Sequence, residues 1–155
     1  MKYLLDTHVF LWICAEPSKL SKTSIKLIED NQNELFLSSA SIWEIEIKHS
    51  IGKLEILDKN LSLKKFVNKS LKTLDIIELP IENKHIFKLE GIPYFHKDPF
   101  DRILIAQAIS ENLILITDDK YIKKYKIKTI WWKFFSKRLI WLFYEFFLLK
   151  DLKRR

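Results

Sequence analysis

The sequence predicts a three-layer α/β domain with helices packed on both faces of a mostly parallel sheet. Three observations carry this expectation. Short apolar runs alternate along the chain with longer stretches of helical periodicity. The run Leu113-Ile114-Leu115-Ile116 is apolar at every position, as a strand covered on both faces must be. A length of 155 residues suits one domain with a sizeable core.

Residues 2–5 form a short apolar run ending in Asp6, which reads as a buried strand with a carboxylate at its C-terminal end. A short helix is expected over 7–13, then a turn at Glu16-Pro17-Ser18. Ser21 opens a second helix with Ile25, Leu27 and Ile28 on its apolar side, and Asn31-Gln32-Asn33 breaks it. Residues 35–37 give the second strand. Ser38-Ser39-Ala40-Ser41 leads into a helix reaching about His49, with Gly52 as the stop. Ala40, Trp43, Ile47 and Ile51 share one face of that helix. Glu44 lies on the neighbouring stripe, where the local reading makes it a capping-box partner of Ser41 and an i,i+4 partner of Lys48.

Leu61, Phe66, Val67, Leu71 and Leu74 mark the next amphipathic helix. Residues 75–79 form a third strand closed by Pro80, residues 81–89 a helix, and Gly91-Ile92-Pro93 a loop. Asp98-Pro99-Phe100-Asp101-Arg102 then starts a helix that runs to about Asn112, with Ile105, Ala108 and Ile109 facing the core. Asp98 reads as its N-cap, Pro99 as the first helical residue and Asp101 as the third, able to reach back as in a capping box. Residues 113–116 are the fourth strand, expected to be central, and end at Thr117-Asp118-Asp119. A fifth strand is expected over 127–131.

Composition bounds the function. An apolar fraction of 48% and a charged fraction of 30% fit a soluble globular protein. One cysteine, Cys14, excludes an internal disulfide framework and a cysteine-rich metal site, and its apolar surroundings make it a small buried hydrophobe. No secretory signal pattern opens the chain, so a cytoplasmic location is expected. The net charge is +7, but residues 133–155 hold seven basic and two acidic side chains, which leaves +2 for residues 1–132. Basicity is mostly a property of the tail and says little about nucleic-acid binding by the core.

The acids are more informative. In open parallel sheets, ligands gather beyond the C-terminal strand ends, which is where Asp6 and Asp118-Asp119 fall. Glu44, Asp98 and Asp101 lie in the first turns of helices that open on the same edge. Carboxylates crowded without matching cations are unfavourable unless a cation neutralises them. A hard divalent ion, magnesium or manganese, suits carboxylates and waters, and such a site activates water for displacement at phosphorus.

These residues also carry a family resemblance. Leu4-Leu5-Asp6-Thr7-His8, Ser39-Ala40-Ser41-Ile42-Trp43-Glu44-Ile45, Gly52-Lys53-Leu54, Asp98-Pro99-Phe100-Asp101-Arg102 with Ile105-Ala106-Gln107-Ala108, and Thr117-Asp118-Asp119 resemble the PIN domain. They resemble more closely its VapC-type toxin ribonucleases, from the start of the chain to about Trp132. The resemblance implies a magnesium-dependent endoribonuclease acting on single-stranded or loop RNA, homodimers, and inhibition by a small partner antitoxin. It carries the family's acidic quartet onto Asp6, Glu44, Asp101 and Asp119. Asp98 matches an extra acid that replaces or assists Asp101. On this reading Asp6 and Asp101 hold the main metal and Asp119 completes its shell. Glu44 holds a second metal or orients the attacking water. Lys48 and Arg102 are candidates for substrate phosphate, with ion-paired or solvated roles as the alternative. His8 is expected to pack or hydrogen-bond locally.

Competing classes fare less well. Gly52 and Gly91 are the only glycines, so neither a P-loop nor a dinucleotide fingerprint is present. A haloacid-dehalogenase-like phosphatase would need an Asp where His8 stands. A catalytically inactive PIN-like RNA- or protein-binding module is the alternative function. Residues 1–132 are expected to form the nuclease domain and residues 133–155 an aromatic and basic helical extension. The apolar run in the extension is shorter than the roughly 20 residues a spanning helix needs and contains Glu145. The extension is therefore expected to contact protein in preference to a membrane.

Overall fold

The computed structural model describes residues 1–56 and 61–131. The expected C-terminal helical extension lies outside the described residues.

Five parallel strands make one sheet in the spatial order β3-β2-β1-β4-β5. They are β1 (Lys2–Leu5), β2 (Glu34–Ser38), β3 (Ile76–Leu79), β4 (Ile114–Ile116) and β5 (Thr129–Ile130). The first strand takes the centre, and β4 lies inside the sheet between β1 and β5. Among the described residues, six α-helices accompany them: α1 (Thr7–Ala15), α2 (Lys22–Glu29), α3 (Ser39–Ser50), α4 (Leu63–Thr73), α5 (Asn83–Lys88) and α6 (Pro99–Ser110). The three-layer α/β/α expectation is met.

The layers follow from strand alternation. Tyr3 and Leu5 of β1, Leu35 and Leu37 of β2, and Ile116 of β4 point to one face, where they pack with Val9, Phe10 and Ile13 of α1 and Ile25 of α2. Leu4 and Leu115 point to the other face and pack with Ile103, Leu104, Ile105 and Ala108 of α6. Residues 102–108 of α6 are all buried, so this helix lies deep in its layer and its N-terminus is firmly set.

Element boundaries show where local signals gave way. Asp75, expected in the third strand, takes a left-handed φ of 51° and makes the turn before β3. Asn112 does the same at φ 52° after α6, a conformation that Asn and Asp tolerate better than most residues. In α3, Ser38 and not Ser41 is the N-cap, its hydroxyl accepting the Ala40 N–H at 3.0 Å. Ser41 is buried and receives a hydrogen bond from Thr7 Oγ1 at 2.9 Å, so the expected Ser41–Glu44 capping box does not form. The predicted core face of α3 is also corrected. Trp43 is 60% exposed and Ile51 58% exposed, while Ala40, Ser41 and Ile45 are buried. Trp43 packs instead edge-on against Phe100 of α6, at 5.2 Å between ring centroids. Among the described residues, no helix is long and apolar enough to cross a membrane.

Candidate functional site

The sheet order puts the ends of β1 and β4 side by side. Asp6 follows β1 directly, and its backbone N–H continues the ladder to the Ile116 carbonyl at 3.1 Å. Its side chain is buried. One carboxylate oxygen accepts a hydrogen bond from Thr117 Oγ1 at 2.5 Å, and the other lies 3.0 Å from His8 Nδ1. Thr117, the residue after β4, is thus the clamp between the two strand ends. Its hydroxyl oxygen also accepts the Asp119 N–H at 3.0 Å.

The α6 N-terminus comes to the same edge. Asp98 is the N-cap and accepts the Phe100 N–H at 2.8 Å, with Pro99 next, as the sequence predicts. Asp101 stands one turn in. Burial first, and then the negative charge of Asp6, push its carboxyl up to about 7. Asp98 and Asp119 push in the same direction, and His96 pulls against them. Burial also raises Asp119, but the N–H groups of Tyr121 and Ile122 and the neighbouring His96 outweigh it and hold that carboxyl below its usual range. His8 behaves as a local partner. Burial opposes its charge, yet the Asp6 hydrogen bond and the charges of Asp6, Asp101 and Asp118 raise it, and its ring packs edge-on against Trp12.

His96 is the residue that sequence reasoning missed. Its Nε2 lies 3.1 Å from Asp101 Oδ2 and 3.6 Å from Asp119 Oδ2. The other ring nitrogen accepts the Asp98 N–H at 3.1 Å, so a neutral His96 carries its proton on Nε2 and donates it into the carboxylates. Nothing in the local sequence marks this; the only signal was its place two residues before a helix cap. Ligand atoms of His96, Asp101 and Asp119 lie within 4.8 Å of one another. The carboxylate pair is a fitting donor set for a hard divalent cation, and the charge of Asp6 beside it adds to the burial that raises Asp101. The imidazole, as hydrogen-bonded here, is a proton donor and not a ligand.

The remaining expected residues are placed differently. Asp6 and Glu44 both stand outside that close group: Asp6 is near enough for its charge to raise Asp101, and Glu44 Oε1 lies 2.5 Å from Lys48 Nζ, the i,i+4 pair the local reading expects. Arg102 is buried and spends its guanidinium on the carbonyls of Leu89, Ile92 and Pro93 at 3.0–3.3 Å, with Tyr94 stacked 4.4 Å away. The structure gives Arg102 the task of fastening the loop that carries His96, which leaves no free fork for a phosphate. Among the described residues, the ion pairs that reach Asp6, Asp101 and Asp119 all come from histidines.

A family model described as PIN domain matches residues 3–128, most of the chain and all of the site. The chain belongs to the PIN domain family. Ribonuclease VapC22 of Mycobacterium tuberculosis is 28% identical over 123 residues, covering 79% of this chain and 91% of that protein. VapBC2 from Rickettsia felis, solved bound to a DNA fragment from its promoter, superposes at a TM-score of 0.62 with 17% identity over 86% of this chain and all of that one. DNA-bound VapBC from Salmonella typhimurium gives 0.59 with 12% identity, covering 84% of this chain and 97% of that one. At these identities the solved structures attest the PIN fold, and the site rests on this chain's own residues.

Proposed function

We propose that this PIN-domain chain is a metal-dependent endoribonuclease of the VapC type, the toxin of a toxin–antitoxin pair. The observation that carries the reading is the meeting of Asp101 and Asp119 beside Asp6, where burial first and then the charge of Asp6 lift the Asp101 carboxyl to about 7. The likeness to Ribonuclease VapC22 supports RNA as the substrate, and the VapBC neighbours support a small antitoxin as partner. Homodimerisation, a cytoplasmic location and the division at residue 132 belong to the same reading. Contact of the extension with protein is favoured over contact with a membrane.

Magnesium, or manganese in its place, would be held by Asp6, Asp101 and Asp119, with Asp98 in reserve at the cap. When bound, the ion lowers the pKa of a water and neutralises charge at the phosphate. The chain does the rest. Thr117 fixes the rotamer of Asp6. The Tyr121 and Ile122 N–H groups fix Asp119. His96 offers the cluster an N–H, and Glu44, held by Lys48, orients water or a second ion from the neighbouring helix.

The test is cleavage of single-stranded RNA by the full chain with and without magnesium, comparing wild type with Asp6→Ala. Magnesium-dependent cleavage that Asp6→Ala abolishes is expected. Undiminished cleavage in excess chelator, or by the variant, would refute the reading.

A further inference from the structure

An acidic cluster repels the polyanion it is to cut, so something beside it must hold the strand. Lys48 is paired with Glu44, Arg102 is spent on carbonyls, and Lys123 leans toward Asp118 at 3.8 Å. Lys120 and Lys124 instead hold an aromatic ring: their ammonium groups lie 5.3 and 4.9 Å from the centroid of Tyr121. Tyr121 is 42% exposed, and its ring meets His96 edge-on at 5.6 Å. One histidine therefore separates the ring from Asp101 and Asp119.

The ring is exposed but not loosely hung. Asp119 Oδ1 accepts the N–H of Tyr121 at 2.5 Å and that of Ile122 at 3.1 Å, while its Oδ2 faces the cluster. Ile122 is fully buried, and Tyr125 beyond it accepts the His96 N–H on its phenol oxygen at 2.7 Å. The carboxylate that completes the cluster also sets the turn that carries Tyr121. A half-exposed aromatic on an anchored backbone turn, with two lysine ammonium groups over its ring, brings together the stacking face and the cations that unpaired bases and their phosphates use.

We propose that Tyr121 is the stacking residue that seats one unpaired base of the RNA beside the carboxylate cluster, with Lys120 and Lys124 receiving the adjoining phosphates. This rests on the ribonuclease reading and deepens it by naming the residues that hold the strand. A base already stacked and paired in a duplex has no free face to offer, so the platform selects single strands.

The experiment is fluorescence anisotropy with a labelled unpaired RNA oligonucleotide and its duplex, in chelator and at low salt. Tyr121→Ala should weaken single-strand binding on the order of tenfold and leave duplex binding unchanged, while Tyr121→Trp keeps wild-type affinity. Replacing Lys120 and Lys124 by Ala should flatten the dependence of log affinity on log salt by roughly 0.7 for each phosphate no longer neutralised. Circular dichroism melts check folding, and should Tyr121→Ala fold poorly, Tyr121→Trp and the lysine pair carry the test. Single-strand binding by folded Tyr121→Ala equal to wild type, or an equal loss for strand and duplex, overturns the inference and leaves the ribonuclease reading standing. The first result would return this surface to a protein partner. A wild type that neither binds nor cleaves RNA overturns both.

Discussion

Asp101 is a carboxylate whose charge the fold disfavours. Its carboxyl stands at about 7 in the fold against 3.8 for an ordinary Asp, because burial and then Asp6 disfavour its charge. The sign follows from proton binding. Between those two values the folded chain binds a proton that the unfolded chain has released, so folding is favoured toward low pH in this window and weakened as pH rises through about 7. Asp119 works the other way. Its lowered carboxyl stabilises the fold above its unfolded value and loses that contribution only in acid. Asp101→Asn removes the charge without changing the shape. In the absence of metal it should raise Tm most at pH 8, by less at pH 5, and make little difference only below the ordinary Asp value of 3.8, as read by thermal melts. An Asn variant less stable than wild type at pH 8 would mean that Asp101 is compensated in some other way.

The elements explain what holds these side chains in place. Helix α6 carries Asp98 at its cap, Asp101 in its first turn and Arg102 behind them, three neighbours with three separate tasks. Asp98→Ala should cost about 0.5–2 kcal/mol in urea unfolding, as the loss of an N-cap does, with metal affinity little changed. Arg102→Ala should cost more, roughly 2–3 kcal/mol, because it leaves buried carbonyls at Leu89, Ile92 and Pro93 without donors. It should also loosen His96, the cargo of that loop. The α6 start was legible because caps and N1 prolines write themselves locally: Asp98 and Pro99 sit where the sequence puts them. Arg102 was not legible, since its partners lie 9 to 13 residues upstream and nothing local distinguishes a guanidinium aimed at carbonyls from one aimed at solvent. The α3 face failed for a related reason. Helical periodicity names a stripe of apolar residues, but the neighbouring helices decide which stripe is buried, and here Trp43 was turned outward onto Phe100.

At the scale of the molecule, the parallel sheet is what turns scattered acids into a cluster. Placing β1 at the centre beside β4 brings Asp6 to Thr117, 111 residues apart in the chain. Alternating strands and helices made the fold and this edge readable, because a parallel sheet collects its strand ends there. Those features and the acidic motifs together pointed to the PIN family, which the match over residues 3–128 bears out. The roles of His96 and Tyr121 were not readable, because each depends on a loop folded back by contacts with Asp101, Asp119 and Tyr125 that no spacing encodes. The central claim is that Asp6, Asp101 and Asp119 form one divalent-metal site. Calorimetric titration of magnesium into the full chain at pH 7 tests it most directly. The account predicts saturable binding to wild type with release of protons, since Asp101 must ionise, and loss of that binding in Asp6→Asn, Asp101→Asn and Asp119→Asn. Wild-type affinity retained in all three variants would contradict it.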